Sequence, residues 1–464
     1  MLKIALISPN LQTPYAQPPM GLALIAAVLE RAGYPVTVVD ANALNLRLES
    51  ITPLLKDADV IGLTAMTPSI NIALATARHL KKAYPTLPII LGGTHATLLP
   101  EETLAAAPEI DIIVRGEGEE TILKILPALE NRQPLSGIAG ITYRKDSKIV
   151  SNRASSKAIS LDSLPFLAYH LLPWQKYKPH PPHGRALPFA VIITSRGCPY
   201  HCAYCSKPIF GRTFRAQTPK RVVDEIAYYQ EKFGIKEMAF YDDVFTLDKK
   251  RAHGIADEII KRGLKLHWSC ETRVNLVDKE LLRHLKQAGC YSVSYGIESG
   301  SPEILKAIDK GITLEQVAEA VRWTHEVGLQ TIGYFMIGSP GETTETIRQT
   351  IRLAKQLQLD FAQFAVTTPF PGTKLYDLYL NGRKNADIPW ESFVYAGTGK
   401  GLSPVFESNL LNRNEIQRWA KRAYREFYLR PSYYWQRLRH TTSLGELKVN
   451  INGLSMLVAT LRKG

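Results

Sequence analysis

The chain is organised by a repeated alternation of short β-branched runs with longer amphipathic stretches. In residues 1–130 five buried strands are predicted, and their sequences are KIALISP, TVVD, VIGLTA, IILGG and DIIV. Helix-like segments lie between them, such as 21–32 and 70–84, and the second keeps a broadly apolar face. This pattern predicts an α/β domain with a doubly wound parallel sheet, whose ligand lies at the carboxyl ends of the strands.

The alternation is interrupted over residues 131–187. The segment GIAGITYRKDSKIVSN predicts a small hairpin that turns at residues 145–147, and a proline-rich connector follows it. His180 and His183 lie in this connector, and we assign them no role.

Strand–helix alternation resumes over residues 188–400 for six units. The predicted strands are FAVIIT, EMAFYD, LHWSC, SVSYGI, TIGYFMIG and FAQFAV, and helices such as 222–233, 251–262 and 346–357 lie between them. Six such units predict a partial (β/α)6 barrel of the TIM type. Polar residues interrupt the apolar pattern where the strands end, which is where barrels carry their functional residues. Residues 401–464 predict a helical C-terminal region rich in basic and aromatic residues.

The five cysteines are unevenly placed, and they are too few for a disulfide scaffold in 464 residues. None precedes Cys198, and Cys202 and Cys205 follow it within eight positions, on a loop directly after a predicted strand. A structural zinc site usually takes four ligands in C-x-x-C pairs, whereas Cys270 and Cys290 stand alone. Three thiolates can hold a [4Fe–4S] cluster and leave one iron open, so the spacing favours iron–sulfur over zinc.

The motif C-x-x-x-C-x-x-C after the first strand of a partial barrel resembles that of the radical S-adenosylmethionine (SAM) enzymes. The two domains together resemble the cobalamin-binding subfamily of these enzymes, and the resemblance covers about residues 1–400. It implies that Cys198, Cys202 and Cys205 bind the cluster, whose open iron is chelated by the amino and carboxylate groups of SAM. In this family one electron from the cluster cleaves SAM to methionine and a 5′-deoxyadenosyl radical.

The resemblance also implies contacts with SAM at the ends of three later strands. FYDDVFTLD places Asp242 and Asp243 beside the SAM amino group, and the alternative is that one of them caps a helix. CETRVNLVD makes Arg273 a candidate to pair with the SAM carboxylate. VSYGIESGS places Glu298 near the ribose or methionine end. The alternative for the last two residues is a buried structural ion pair between them.

The N-terminal domain resembles Rossmann-like cobalamin-binding modules. The implied contacts with cobalamin lie in four loops and are Pro19, Met20 and Gly21, then Thr64 and Met66, then Gly92 and Gly93, and finally Gly116, Glu117 and Gly118. The two glycines of LGGTHAT would let the backbone approach the nucleotide tail closely, because glycine has no side chain.

The first strand–helix loop departs from other cobalamin-binding modules. It reads NLQTPYAQPPMG and lacks the motif D-x-H-x-x-G, so no histidine is placed to ligate cobalt from below. In the radical SAM subfamily the lower face is often left open as well. His95 follows the two glycines, and a capping or tail-contacting role is expected for it rather than cobalt ligation.

Positive charge is concentrated at the C-terminus. The chain has a net charge of +14, and from Arg413 to Gly464 eleven Lys and Arg face three acids. Aromatic residues interleave with these cations, which favours a helical cap that packs its aromatic side chains on the barrel. Peripheral membrane contact through the same tail is a further hypothesis. Because the rest of the chain is only mildly basic, we expect no nucleic-acid partner.

These observations predict a cobalamin-dependent radical SAM enzyme that methylates an unactivated carbon or phosphorus centre. A radical SAM cyclase or oxidoreductase without methyl transfer is the first alternative, and a non-catalytic metal-binding, nucleic-acid-binding protein is the second. The implied cofactors are a [4Fe–4S] cluster, SAM and cobalamin. The implied partners are a small-molecule or lipid-like substrate and an electron donor such as flavodoxin or ferredoxin. No signal-peptide pattern and no run of eighteen apolar residues is present, so a cytoplasmic enzyme is expected.

Overall fold

The computed structural model describes residues 1–13, 15–155, 159–179, 184–207, 209–380 and 410–440, together with residues 388, 390, 393 and 407. These residues form two compact units. The first contains Met1–Tyr177, Ser206–Gly211 and Phe370–Phe393, and the second contains Lys178–Cys205, Arg212–Pro369 and the C-terminal helices. The part of the predicted connector that carries His180 and His183 lies outside the described residues, as do residues 441–464.

The first unit is built on a seven-stranded sheet. Its strands are β1 Ile4–Ser8, β2 Val36–Asp40, β3 Val60–Thr64, β4 Ile89–Gly92, β5 Ile112–Val114, β6 Ile141–Lys145 and β7 Lys148–Ser151. Their order is β2-β1-β3-β4-β5-β6-β7, and the first five pair in parallel while β6 and β7 pair antiparallel. The hairpin expected in the linker therefore extends the sheet and makes it mixed. Ile141 and Tyr143 of β6 are buried in the core of this unit, which explains why the hairpin joins it.

Helices cover both faces of this sheet. They are α1 Met20–Arg31, α2 Leu48–Ile51, α3 Ile70–Ala83, α4 Thr94–Leu98, α5 Pro100–Ala106 and α6 Glu119–Glu130. Helix α13 Lys374–Leu380 belongs to the same unit. Ile4 and Leu6 of β1 belong to one core cluster, whereas Ala5 and Ile7 belong to another. Successive strand residues point to opposite faces, so two cores on one strand confirm the doubly wound arrangement.

The second unit is a sheet of six parallel strands in chain order. They are β8 Phe189–Ile192, β11 Glu237–Phe240, β12 His267–Thr272, β13 Cys290–Glu298, β14 Gln330–Ile337 and β15 Phe361–Val366. Between β8 and β11 lie two short strands, β9 Ser195–Arg196 and β10 Arg215–Ala216, which pair antiparallel. The helices are α7 Pro219–Phe233, α8 Lys249–Lys261, α9 Lys279–Gln287, α10 Pro302–Ala307, α11 Leu314–Glu326, α12 Thr344–Gln356, α14 Arg413–Tyr428 and α15 Pro431–His440. The partial (β/α)6 barrel is confirmed.

The C-terminal helices cover the outer edge of the barrel sheet. Strand β15 is the last in the sheet, so its outer backbone groups face no further strand. The Tyr428 hydroxyl accepts from the N–H of Ala362 at 3.0 Å and donates to its carbonyl at 2.8 Å. The Tyr424 hydroxyl accepts from the N–H of Phe364 at 3.2 Å. The helical cap is therefore confirmed for the described part of the tail.

Two aromatic residues of α15 stay on the surface. Tyr434 is 48% exposed and Trp435 is 58% exposed, so peripheral membrane contact through this helix remains a prediction. Among the described residues, no helix has both the length and the apolar character needed to cross a bilayer.

Candidate functional site

The three clustered cysteines lie on a loop that is held at both ends, because β9 precedes it, β10 follows it, and the two strands pair. Inside the loop, the N–H of Cys205 donates to the carbonyl of Cys202 at 3.1 Å. The N–H of Ala203 donates to the carbonyl of Ile308 at 2.9 Å. Cys198 is buried, Cys202 is half-buried and Cys205 is exposed, and none of the three is in a disulfide. A fixed backbone thus presents three cysteines without a disulfide.

Cys270 and Cys290 have a different setting, because they lie within β12 and β13 and are buried. A hydrogen bond to Cys290 and burial hold the pKa of Cys270 well above its ordinary value, so its thiol stays protonated. Within the described ranges, no three His, Cys, Asp or Glu side chains converge as ligands of one metal ion. The cysteines of a [4Fe–4S] cluster bind different irons, so this finding concerns only sites for a single ion.

Asp242 fixes the backbone that leads into the cysteine loop. Its buried carboxylate accepts from the N–H of Thr194 at 2.5 Å and of Ser195 at 2.9 Å, and from the Thr194 hydroxyl at 2.6 Å. Helix α8 is capped by Asp248, so the alternative that Asp242 or Asp243 caps it is not observed. Asp243 is exposed, and its predicted contact with SAM remains a prediction.

Arg273 is buried, and protein groups orient its guanidinium. Nη2 donates to the carbonyl of Lys310, and Nε donates to Asn275 Oδ1 at 3.3 Å. Nη1 lies 3.6 Å from Cys202 Sγ. The guanidinium carbon lies 3.6 Å from the centre of the Tyr200 ring. This residue therefore touches the cysteine loop directly, and its predicted contact with the SAM carboxylate remains a prediction.

Glu298 pairs with a lysine rather than with Arg273. Its Oε1 accepts from Lys310 Nζ at 2.8 Å and from the Tyr204 hydroxyl at 2.9 Å. The alternative of a buried Arg273–Glu298 ion pair is therefore wrong. A Cβ at Gly296 would lie 2.6 Å from Glu298 Oε1 and 2.8 Å from Lys310 Nζ, so a side chain there would displace the charged ends of the pair.

Lys310 and Tyr204 belong to this site, and neither was predicted from the sequence. Tyr204 stands between two of the clustered cysteines, so its position was a usable signal. No sequence pattern marked Lys310 as a partner of Glu298. The two residues are 12 positions apart, and they meet because Lys310 lies in the turn that follows α10. It is 4% exposed, and lysine is seldom that buried without a partner.

Burial raises the pKa of two further carboxyl groups of the barrel, those of Glu271 and Glu342. The Tyr334 hydroxyl donates to Glu271 at 3.0 Å, while burial raises the pKa of Glu271 and the charge of Asp243 adds to this effect. Glu342 is fully buried and accepts from the backbone N–H groups of residues 338–339. Burial raises the pKa of Glu342 to about 7.

The residues predicted to contact cobalamin lie at one edge of the first unit's sheet. Each group lies where a strand ends. The start of α1, after β1, carries Pro19, Met20 and Gly21, and the end of β3 and the loop after it carry Thr64 and Met66. The end of β4 and the loop after it carry Gly92 and Gly93, and the loop after β5 carries Gly116, Glu117 and Gly118. These strands are parallel, so their carboxyl ends meet at the same edge. That edge includes the point between β1 and β3 where the strand order reverses, which is where such folds bind ligands.

The glycines in the loops at this edge differ in the space around their Cα atoms. A Cβ at Gly21, Gly92 or Gly116 would have no neighbour within 4 Å. Gly93 has a φ of +99°, and a Cβ there would lie 2.4 Å from the carbonyl oxygen of Ala65. Gly92 therefore suits a close approach of backbone to ligand, whereas the packing of the loop itself requires Gly93.

His95 is buried within α4, where its Nδ1 lies 3.2 Å from Thr67 Oγ1. Its ring packs edge-on against Trp390, with ring centroids 4.8 Å apart. Burial lowers the pKa of His95 to about 4, so the imidazole is neutral near pH 7. The expected capping role is not observed, because Gly93 is the residue that precedes α4. Its predicted contact with the nucleotide tail stays a prediction.

The two sites fit the cofactors that the sequence implies. Three cysteines on one loop, none of them in a disulfide, are a donor set for a cluster that keeps one iron open. Open backbone at the carboxyl edge of a parallel sheet suits a large cofactor that approaches the main chain.

Comparisons with known proteins identify both domains. The radical SAM superfamily model matches residues 192–354, and the B12 binding domain model matches residues 10–126. An uncharacterized methyltransferase of Pyrococcus horikoshii is 36% identical over 440 residues, which are 93% of this chain and 93% of the relative. The anaerobic magnesium-protoporphyrin IX monomethyl ester cyclase of Cereibacter sphaeroides is 30% identical over 448 residues, which are 93% of this chain and 71% of the relative.

A solved structure shares the fold. It is the radical SAM methyltransferase TsrM of Kitasatospora setae with cobalamin and a [4Fe–4S] cluster bound. The TM-score is 0.70 at 20% sequence identity, and the match covers 83% of this chain and 79% of that chain.

The fold and its two sites define a radical SAM enzyme with an N-terminal B12-binding domain. The chain belongs to the cobalamin-dependent radical SAM family, and its cofactors are a [4Fe–4S] cluster, SAM and cobalamin. An enzyme of this class needs a reductant and a substrate. The alternative of a non-catalytic nucleic-acid-binding protein is therefore wrong.

Proposed function

We propose that this enzyme methylates an unactivated carbon or phosphorus centre in a small-molecule or lipid-like substrate. The observation that carries the proposal is its similarity to a named methyltransferase over 93% of both chains. When bound, the cofactors supply an electron, a methyl group and a carrier for that methyl group. Flavodoxin or ferredoxin is the proposed electron donor, and the cytoplasm is the proposed compartment.

In this proposal the residues of the barrel hold the cluster and orient SAM. Cys198, Cys202 and Cys205 are the cluster ligands, and Asp242 keeps the backbone before the loop in place. Glu298 meets the ribose or methionine end of SAM from its buried pair with a lysine. The open glycines at the carboxyl edge of the first sheet admit the nucleotide tail of cobalamin.

A second candidate function is a radical cyclisation or oxidation without methyl transfer. The 30% identity to a magnesium-protoporphyrin cyclase supports it, because that relative also aligns with 93% of this chain. Methyl transfer is favoured because the methyltransferase shares more residues and is aligned over more of its own length.

Product analysis separates the two candidates. The chain is reconstituted anaerobically with iron and sulfide, given hydroxocobalamin, SAM and dithionite, and its nucleoside products are quantified. We expect about four irons per chain, and we expect S-adenosylhomocysteine because only methyl transfer forms it. Formation of 5′-deoxyadenosine and methionine without S-adenosylhomocysteine would favour the cyclase.

Matched cysteine variants test the cluster ligands. Cys202→Ala should lose the cluster and all SAM cleavage, because a ligand thiolate is removed. Cys270→Ala removes a buried thiol from β12 and should keep both. Full iron content and SAM cleavage in Cys202→Ala would refute the assignment.

A further inference from the structure

We propose that Arg273 is a positioning residue that acts on the cluster through Cys202, and that it raises the reduction potential of the cluster. It does so by holding a fixed cation and an N–H donor against Cys202 Sγ. The inference rests on the proposed function, because it takes Cys202 as a cluster ligand. It gives Arg273 a role distinct from its predicted contact with the SAM carboxylate.

The guanidinium is held so that it faces the sulfur. Arginine carries five N–H donors in one plane, so bonds to some of them fix the directions of the others. Nε is bound to Asn275 Oδ1, and Nη2 is bound to the carbonyls of Lys310 and Gly311. Nη1 is then left 3.6 Å from Cys202 Sγ, a distance at which an N–H group donates to sulfur.

Tyr200 ties the same guanidinium to the cysteine loop. It lies two residues before Cys202, and its ring centre is 3.6 Å from the guanidinium carbon of Arg273. A planar guanidinium over an aromatic ring is a contact that the compact ammonium of lysine does not reproduce. The loop and the cation are therefore held in one arrangement.

The charge of Arg273 is not neutralised by the groups that orient it. Its described partners are an amide, two carbonyls, an aromatic ring and the cysteine sulfur. The neighbouring Lys310 differs, because Glu298 balances it at 2.8 Å. Arg273 is 4% exposed, so water and salt screen its charge weakly.

A cation beside a ligand sulfur favours the reduced cluster. Reduction adds one negative charge, and hydrogen bonds to the sulfurs and net charge near a cluster set its potential. The cluster is thus easier to reduce with Arg273 beside Cys202 than it would be with its three thiolate ligands alone.

The test is an EPR-monitored redox titration of the reconstituted chain without SAM or cobalamin. Arg273→Met should keep about four irons per chain and shift the midpoint to a more negative potential. At the wild-type midpoint, we expect the ratio of reduced to oxidised cluster to fall about tenfold, which is about 59 mV for a one-electron couple. Arg273→Lys keeps the charge without the fork or the stacking, so its shift should be smaller.

Three variants act as controls. Tyr200→Phe keeps the ring and should leave the midpoint unchanged, whereas Tyr200→Leu should shift it in the same direction as Arg273→Met. Arg262→Met also removes one arginine charge, but Arg262 lies at a pair of surface helices, where it contacts Asp224 and Glu258. This variant should leave the midpoint potential of the cluster unchanged.

The outcomes separate this inference from the proposed function. A wild-type chain that binds no cluster would overturn the function itself. A full cluster with an unchanged midpoint in Arg273→Met would overturn the inference alone. If Arg273→Met does not take up iron, an unchanged midpoint in Tyr200→Leu overturns the inference, and a negative shift supports it.

Discussion

The two units differ in the residues that lie where their strands end. At the carboxyl edge of the first sheet, Gly92 leaves its backbone open and His95 is a buried, neutral imidazole. At the carboxyl ends of the barrel strands, Arg273, Glu298 and Lys310 are buried charged groups with fixed partners. The first site is shaped by missing side chains, and the second is shaped by buried charges that protein groups hold in place.

This difference decides which substitutions each unit tolerates. A buried charge that loses its partner keeps its desolvation penalty, so removing one charge should harm the barrel most. A glycine that faces a ligand has no partner within the protein, so adding a side chain should harm binding without harming the fold.

The largest effect is expected for Lys310→Met. It leaves Glu298 buried with only the Tyr204 hydroxyl, and we expect the barrel to lose about 3–5 kcal/mol of unfolding free energy. Urea unfolding of the chain without cofactors measures this. The double variant Lys310→Met/Glu298→Gln removes both charges and should recover most of the loss. Equal losses in the single and double variants would show that the ion pair does not control stability here.

The two adjacent glycines of the first unit should respond differently. Gly93→Ala forces an unfavourable φ and a clash with the backbone of Ala65, so the chain without cobalamin should lose about 2 kcal/mol or more of stability. Gly92→Leu should keep that stability, because its side chain enters open space, and should lose cobalamin binding in equilibrium dialysis. Unchanged cobalamin retention in Gly92→Leu would mean that this loop does not approach the cofactor.

A smaller effect concerns the pH dependence of the barrel. The folded-state pKa of Glu342 is about 7, raised from 4.5, so its stabilising contribution is complete below pH 4.5 and is lost as pH rises through 7. Glu342→Gln mimics the protonated form, and its advantage over the wild type should grow by about 2 kcal/mol between pH 5 and pH 8. Unfolding curves at both pH values measure this, with the exposed Glu303→Gln as control. An equal pH dependence in the Glu342 variant and the wild type would contradict the raised pKa.

The smallest effect is expected at His95. Its Nδ1 is bound to Thr67 and its ring packs on Trp390, so we expect no imidazole below the cobalt. The EPR spectrum of bound cobalt(II) should lack hyperfine splitting from an imidazole nitrogen, and His95→Ala should leave it unchanged. Splitting that disappears in His95→Ala would show that His95 is the ligand.

The sequence by itself determined the architecture, and its resemblance to a known family implied the cofactors. Strand–helix periodicity is a local property of the chain, so it indicated the two sheets and the ends of their strands. The cysteine spacing is equally local and favoured an iron–sulfur cluster, and the resemblance of the glycine loops to a known family implied the cobalamin edge. Hairpin β6–β7 was also recognised from its turn.

Only the tertiary structure decided which of these strands and side chains contact one another. The buried face of β6 depends on which core lies beside it, so the sequence could not show that the hairpin extends the first sheet. The partner of Glu298 proved to be Lys310 rather than Arg273, and Arg273 proved to face Cys202. A buried charge is paired with whichever group the folded backbone places beside it, and that proximity is not encoded in any single stretch of chain.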